Sequence, residues 1–260
     1  SPRAASGAGM ALPPVTVSRN GDVSAYKHVL LQVDRGRRVA ELTMRGPEGD
    51  PRGALDAGHW SVAAWRELDD ALLDLRFNHP TVGLLVLHTV GDLEAVRRFD
   101  RHLVERAVTD WLAREVLLLQ KRVLKRLDLT ARSLFALIEP GSCFAGSMLE
   151  IALAADRVFM IDAASTHVAL SVVNFGAFPM SNGLSRLESR FLYDPSIVTR
   201  LKDEAGLLDA GAALKAGLVT FTPDEMDWDD EVRVAIEERT SLSPDAMTGM
   251  EANLRFAGPE

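Results

Sequence analysis

Small residues in a short turn, followed closely by a glutamate, form the part of this sequence best suited to chemistry. The apolar run Ser133–Ile138 predicts a strand, residues 141–147 predict a turn, and a helix that carries Glu150 follows at once. Small residues let backbone N–H groups approach a ligand, and the start of a helix adds positive partial charge. Such a turn can bind a carbonyl oxygen as it becomes an oxyanion, while a carboxylate beside it moves protons. The sequence therefore predicts an oxyanion-binding turn with Glu150 as its general acid or base.

Strands and helices alternate around this turn. A hairpin is predicted at residues 28–33 and 38–44, and further strands at 82–88, 133–138, 158–161, 167–170 and 218–221. Apolar residues at helical spacing predict helices at 60–75, 109–127, 148–155, 182–190, 194–202, 209–216, 227–239 and 244–254. Strands that are continuous apolar runs between helices indicate an α/β fold, in which helices cover a mostly parallel sheet.

Composition and charge exclude several classes of protein. With 260 residues, 47% of them hydrophobic, the chain can bury a full core as one domain. Its net charge of −8 argues against non-specific nucleic-acid binding. No apolar run reaches the roughly 18 residues of a membrane span. A lone Cys143 excludes an intrachain disulfide, which fits a cytoplasmic protein, and the histidines lack ligand spacing, so we expect no metal site.

The turn and the residues after it resemble the central signature of the crotonase (enoyl-CoA hydratase/isomerase) superfamily, roughly NG-x-x-x-GGG-x-E-L-A-x-x-x-D. Gly141, residues 145–147, residues 150–152 and Asp156 fill these places, with one extra residue before the glutamate. Two later segments also resemble the family: its L-G-x-x-P-x-x-G-x-x-R-L segment at 174–187 and its A-x-x-A-x-x-x-G-L-V helix at 209–219.

A closer resemblance, to the benzoyl-CoA-dihydrodiol lyase group, is carried by residues 133–146, 174–187 and 243–260. These runs resemble the C-terminal half of that group's longer chain. Taken together, the resemblance covers roughly residues 28–255 and implies a crotonase-like fold of repeated ββα units with C-terminal helices.

We accordingly expect three regions along the chain. Residues 1–25 form a flexible N-terminal arm, residues 26–205 a crotonase-like core, and residues 206–260 a C-terminal helical region that is shorter than in the family.

The resemblance also implies an activity on an acyl-CoA or carrier-protein thioester through an enolate held by two backbone N–H groups. By position, Gly146 or Ser147 supplies one N–H, and the loop after the 82–88 strand supplies the other, near Ala95 or Val96. The reaction implied is a lyase, ring-opening or hydratase-type step. It needs no cofactor beyond the coenzyme A of the substrate. The expected assembly is a homo-oligomer (a trimer or a dimer of trimers) or a pair with another crotonase domain.

The resemblance is incomplete at one catalytic position. Many hydratases carry a second glutamate where this chain has Val172, so Glu150 acts alone or with Asp92, Glu94 or Ser171. Residues expected to line the substrate pocket are Cys143, Ser171, Val172, Asn174 and Phe175.

Three functional interpretations stay open. In the first, the chain is a crotonase-fold enzyme; in the second, it is a catalytically silent module that binds or stabilises a partner protein; in the third, it is a plain CoA-binding protein, which needs only the pocket. Compared with the family pattern, the extra residue before Glu150 rotates its side chain by roughly 100° around the helix. The direction in which this side chain points therefore separates the first interpretation from the second. In the second interpretation, Glu150 only stabilises the start of its helix, and Gly146 and Ser147 only form a tight turn.

Overall fold

The predicted hairpin lies within a central sheet in the computed structural model, which describes residues 9–203 and 206–255. The strands of this sheet are β1 (Ser18–Asn20), β2 (Val23–Ala25), β3 (Val29–Asp34), β4 (Val39–Arg45), β5 (Leu84–Val90), β6 (Ser133–Ile138) and β7 (Arg157–Met160). They lie side by side in chain order. The pairs from β1 to β4 are antiparallel, and those from β4 to β7 are parallel.

The parallel half of the sheet confirms the prediction made from the apolar runs. Every residue of β6 is buried, as are the first four residues of β5. A strand covered on both faces has no solvent side, so its sequence loses the alternation of an exposed strand.

The helices cover the sheet and fill the connections between its strands. They are α1 (Trp60–Asn78), α2 (Leu93–Ala107), α3 (Trp111–Asp128), α4 (Gly146–Leu153), α5 (Arg186–Arg190), α6 (Ser196–Asp203), α7 (Ala210–Lys215), α8 (Trp228–Ser241) and α9 (Pro244–Arg255). Two short strands, β8 (Val168–Ala169) and β9 (Leu207–Leu208), pair antiparallel, and a 3₁₀ turn spans Val172–Asn174. The division of the chain at residue 206 stays a prediction.

The larger core lies between one face of the sheet and helices α1, α3 and α4. Trp65 of α1, Leu124 of α3 and Met148 of α4 are fully buried there, in one cluster with Leu85 of β5. Each large apolar side chain buried in this way contributes about 1.5–3 kcal/mol. On the opposite face, α8 packs its Trp228 in a second cluster with strand residues. The core thus fixes α4, which carries Glu150.

Helix α2 stands where the sequence predicts a loop, so that prediction is wrong. Asp92 caps this helix by accepting a hydrogen bond from the Glu94 N–H at 2.8 Å. Val96, Phe99 and Leu103 are buried at helical spacing, so the segment has a complete apolar face. The strand predicted at 218–221 is also wrong, because only a single bridge, from Phe221 to Phe159, forms in that segment.

The described part of the predicted N-terminal arm is partly in the sheet. Strands β1 and β2 lie within residues 1–25, and the Arg66 side chain donates to the Pro13 carbonyl at 2.7 Å. Residues 1–8 of the predicted arm and residues 256–260 of the predicted C-terminal region lie outside the described residues.

No helix in the described part of the chain is long and apolar enough to cross a membrane.

Candidate active site

The start of α4 is built from a glycine and a carboxylate that comes from another helix. Gly146 is the first residue of α4 and has a positive φ of 47°. Ala145 before it makes no side-chain cap, and the Ser147 N–H instead donates to Oδ2 of Asp100 at 2.7 Å. A Cβ on Gly146 would overlap the Asp100 carboxylate and lie 2.7 Å from Ser171 Oγ. Glycine is therefore required here for both conformation and space.

Asp100 of α2 is a buried carboxyl group, with only 2% of its surface exposed. Burial raises the pKa of Asp100 to about 7, because the charged form loses its hydration. The hydrogen bond from the Ser147 N–H opposes that rise, and the nearby Glu150 carboxylate adds to it. The site therefore contains a carboxyl group able to gain or lose a proton near neutral pH.

Glu150 is equally buried, and both of its carboxylate oxygens are engaged. Oε2 accepts from Arg186 Nη1 at 2.8 Å, and Oε1 accepts from Asn174 Nδ2 at 2.7 Å. Burial raises the pKa of Glu150, while the Arg186 guanidinium lowers it. With 1% exposure, Glu150 faces a closed interior rather than solvent.

Arg186 links Glu150 to a third buried carboxylate. Its guanidinium donates to both oxygens of Asp128, from Nε at 3.0 Å and from Nη2 at 2.7 Å. One cation thus holds two carboxylates from α3 and α4, a geometry suited to a bidentate arginine. In residues 9–203 and 206–255, no group of three or more His, Cys, Asp or Glu side chains could hold a metal ion. The cluster is therefore an ion-pair network between helices.

One curated relative is similar along most of this chain. It is the benzoyl-CoA-dihydrodiol lyase of Aromatoleum evansii, 47% identical over an alignment 255 residues long that covers 94% of this chain and 46% of the relative. The chain thus spans about half the length of that relative and corresponds to its C-terminal half. No protein-family profile matches the chain.

Solved structures add the fold. An enoyl-CoA hydratase/carnithine racemase from Magnetospirillum magneticum matches with a TM-score of 0.65 and 16% identity, over 88% of this chain and 80% of that one. An enoyl-CoA hydratase/isomerase from Xanthobacter autotrophicus Py2 matches with a TM-score of 0.64 and 17% identity, over 89% and 80% of the two chains. The chain has the crotonase fold. The resemblance seen in its sequence motifs is thereby confirmed for the fold.

On this crotonase fold, two of the four amides predicted to bind an oxyanion, those of Ser147 and Val96, donate to groups of the protein itself. The Ser147 N–H is bonded to Asp100. Ala95 and Val96 lie in the first turn of α2, where the Val96 N–H donates to the Asp92 carbonyl at 3.2 Å. The prediction of a loop at these two residues is corrected, because they belong to a helix, and their role as oxyanion donors stays a prediction.

Of the predicted pocket residues, Asn174 and Ser171 lie beside Gly146, whereas Val172, Phe175 and Cys143 have other surroundings. Asn174 lies in the site, since Nδ2 also donates to the Gly146 carbonyl at 2.9 Å. Ser171 lies near Gly146 and caps the 3₁₀ turn, whose capping box is completed by Asn174. Val172 is 56% exposed, and Phe175 is half-buried against the core. Cys143 is fully buried, and burial raises its pKa to about 11, so its thiol is a core group.

Three residues of the site were not found from the sequence: Asp100, Asp128 and Arg186. Arg186 lies in the segment at 174–187 that resembles the family, and the motif by itself assigns it no contact with Glu150. Asp100 gives one signal in hindsight, because it follows Phe99 and stands four residues after Val96 on the buried face of α2. A carboxylate on an apolar helical face needs a partner, and here the partner is an amide of another helix.

Proposed function

We propose that this chain is part of a crotonase-fold enzyme of the acyl-CoA lyase or hydratase type. Its substrate is a CoA thioester of the kind named for the relative, a dihydrodiol of benzoyl-CoA. The observation that carries the proposal is the 47% identity along 94% of the chain. Neighbours that share the fold alone are near 17% identical, so the relative carries more specific information about the reaction.

In this function, the start of α4 receives the thioester carbonyl, with Ser147 N–H as the donor. A backbone amide at a helix start can stabilise the negative charge that develops on this oxygen. The carboxyl groups near this amide are those of Asp100 and Glu150. They take the place of the second glutamate of many hydratases, whose position is occupied by Val172 in this chain. A substrate oxygen reaches the amide only when Asp100 leaves it, because the donor has its acceptor already.

A second function, that of a catalytically silent module that stabilises a partner, is favoured by one observation. The Ser147 amide and both Glu150 oxygens are occupied within the protein, and Asp100, Ser147 and Glu150 are at most 2% exposed. The partner would be another crotonase domain, such as the half of the relative that this chain does not cover. Parts of the enzyme proposal are also a homo-oligomer (a trimer or a dimer of trimers), a cytoplasmic location and a reaction without any cofactor beyond the coenzyme A of the substrate.

An activity assay separates the two functions. Benzoyl-CoA dihydrodiol and enoyl-CoA thioesters are offered to the wild type and to Glu150→Gln, which keeps the shape of the side chain and removes its charge. If Glu150 transfers a proton, its loss lowers turnover by about 100-fold or more. Glu237→Gln, an exposed carboxylate paired with Arg233, is the control and should leave turnover unchanged.

The outcomes point in different directions. Equal turnover by the wild type and Glu150→Gln would remove Glu150 from the chemistry. Absence of turnover by the wild type, together with a higher melting temperature of the other half of the relative when the two are mixed, would establish the silent module. Thermal melts of each variant show whether a lost activity reflects a lost fold.

A further inference from the structure

The space in front of the Ser147 amide is filled by one side chain. Asp100 reaches it from α2, and its Oδ2 lies 2.7 Å from the amide nitrogen. Because Gly146 has no side chain, the carboxylate fits against the backbone in the position where a Cβ would stand. Asp100 thus performs for α4 the capping role that Ala145 cannot perform.

A thioester oxygen and the Asp100 carboxylate compete for the same N–H. An ionised carboxylate is the stronger acceptor, since charge-assisted hydrogen bonds are roughly twice as strong as neutral ones. It also repels an enolate oxygen that develops beside it. A neutral carboxyl group is a weaker acceptor and does not repel the enolate oxygen. The protonation state of Asp100 therefore changes which oxygen accepts the hydrogen bond from Ser147.

The charges around Asp100 do not favour its ionised form. From α4, the Glu150 carboxyl group raises the pKa of Asp100 further; from the 3₁₀ turn, the neutral Ser171 hydroxyl lies beside Gly146. The guanidinium of Arg186 bonds Glu150 and the α3 residue Asp128. Burial acts in the same direction as Glu150, so the pKa of Asp100 lies at about 7.

We propose that Asp100 is a gate: its carboxylate holds the Ser147 amide against a thioester oxygen, and its neutral form releases that amide. The inference rests on the proposed function, because it concerns the same amide and the same class of ligand. Asp100 is a positioning residue in this role, since it acts by leaving the site.

Binding measured as a function of pH tests the gate. Calorimetry measures the affinities for benzoyl-CoA and for free CoA at pH 6 and at pH 8.5. The affinity for benzoyl-CoA is divided by that for CoA at each pH, which cancels the effect of titrating the CoA phosphates that both ligands share. If only neutral Asp100 permits thioester binding, this ratio falls about 30-fold between the two pH values for a group that titrates near 7. Asp100→Asn keeps an acceptor for the amide and has no charge, so its ratio should stay constant and match that of the wild type at pH 6.

Asp100→Ala and Asp110→Asn complete the test. Asp100→Ala uncovers the amide and should bind benzoyl-CoA at pH 8.5 at least tenfold more tightly than the wild type. Asp110 caps α3 and pairs with Arg106, so Asp110→Asn removes a carboxylate elsewhere and should keep the full pH dependence.

The results also separate the gate from the proposed function. A pH dependence that persists in Asp100→Asn would overturn the gate, even if the wild type turns over substrate. Loss of the pH dependence in Asp100→Asn, with no turnover by any variant, would support the gate and overturn the lyase function. Failure of all these proteins to bind benzoyl-CoA more tightly than CoA would overturn both.

Discussion

Replacement of Asp100 by Asn should change how the stability of the protein depends on pH. Burial moves the pKa of Asp100 from its ordinary value of 3.8 to about 7. The folded state therefore binds this proton more tightly than the unfolded state does. The resulting stability is complete below about pH 4 and is lost as the pH rises to about 7. A shift of about three pH units corresponds to about 4 kcal/mol at most.

Urea unfolding between pH 4 and pH 8 measures this contribution. For the wild type, the free energy of unfolding should contain a term that falls by up to about 4 kcal/mol over this range. In Asp100→Asn that term is absent, so the difference between the two proteins shifts in favour of the variant as the pH rises. Only this pH-dependent part is diagnostic, because the buried Asn amide also needs new hydrogen-bond partners.

Asp110→Asn provides a control of opposite sign. The hydrogen bond from Arg106 lowers the pKa of Asp110, so this carboxylate stabilises the folded state at neutral pH and loses that effect on acidification. Its contribution at this partly exposed position is about 1 kcal/mol or less. If the difference between the wild type and Asp100→Asn were constant from pH 4 to pH 8, the reasoning from burial would be refuted.

Three further predictions concern residues around the site. Arg186→Met should lower the free energy of unfolding by about 3–5 kcal/mol in urea titrations, because it leaves two buried carboxylates without their cation. Gly146→Ala should cost about 2–4 kcal/mol, because its φ is positive and its Cβ would overlap Asp100, whereas Gly211→Ala, in the open α7 helix, should be neutral or stabilising in the same titration. Cys143 should react with a thiol reagent at least about 100-fold more slowly in the native protein than in urea, since burial raises its pKa to about 11; equal rates would show that it is accessible.

Most elements of the fold could be predicted from the sequence because their signals are local. Strand β6 forms at the predicted residues, and α1 and α3 form within three residues of their predicted bounds. A run of apolar residues or a helical period is a property of one segment, so it can be recognised without knowing which segment packs against it. Helix α2 was missed because its many charged residues obscured its apolar face, although Asp92 is an ordinary N-cap.

The sequence alone also determined the turn before α4, the position of Glu150 just after it, and the resemblance that indicated the fold. Only the tertiary structure decided what these groups contact. Asp100 stands 47 residues before Ser147, and Arg186 stands 36 residues after Glu150, yet each pair is hydrogen-bonded in the interior. A buried amide or carboxylate requires a partner, but any element that packs beside it can provide one. The chemistry of the turn therefore depends on which helix lies across it, and here that helix brings a carboxylate to the amide expected to receive the thioester oxygen.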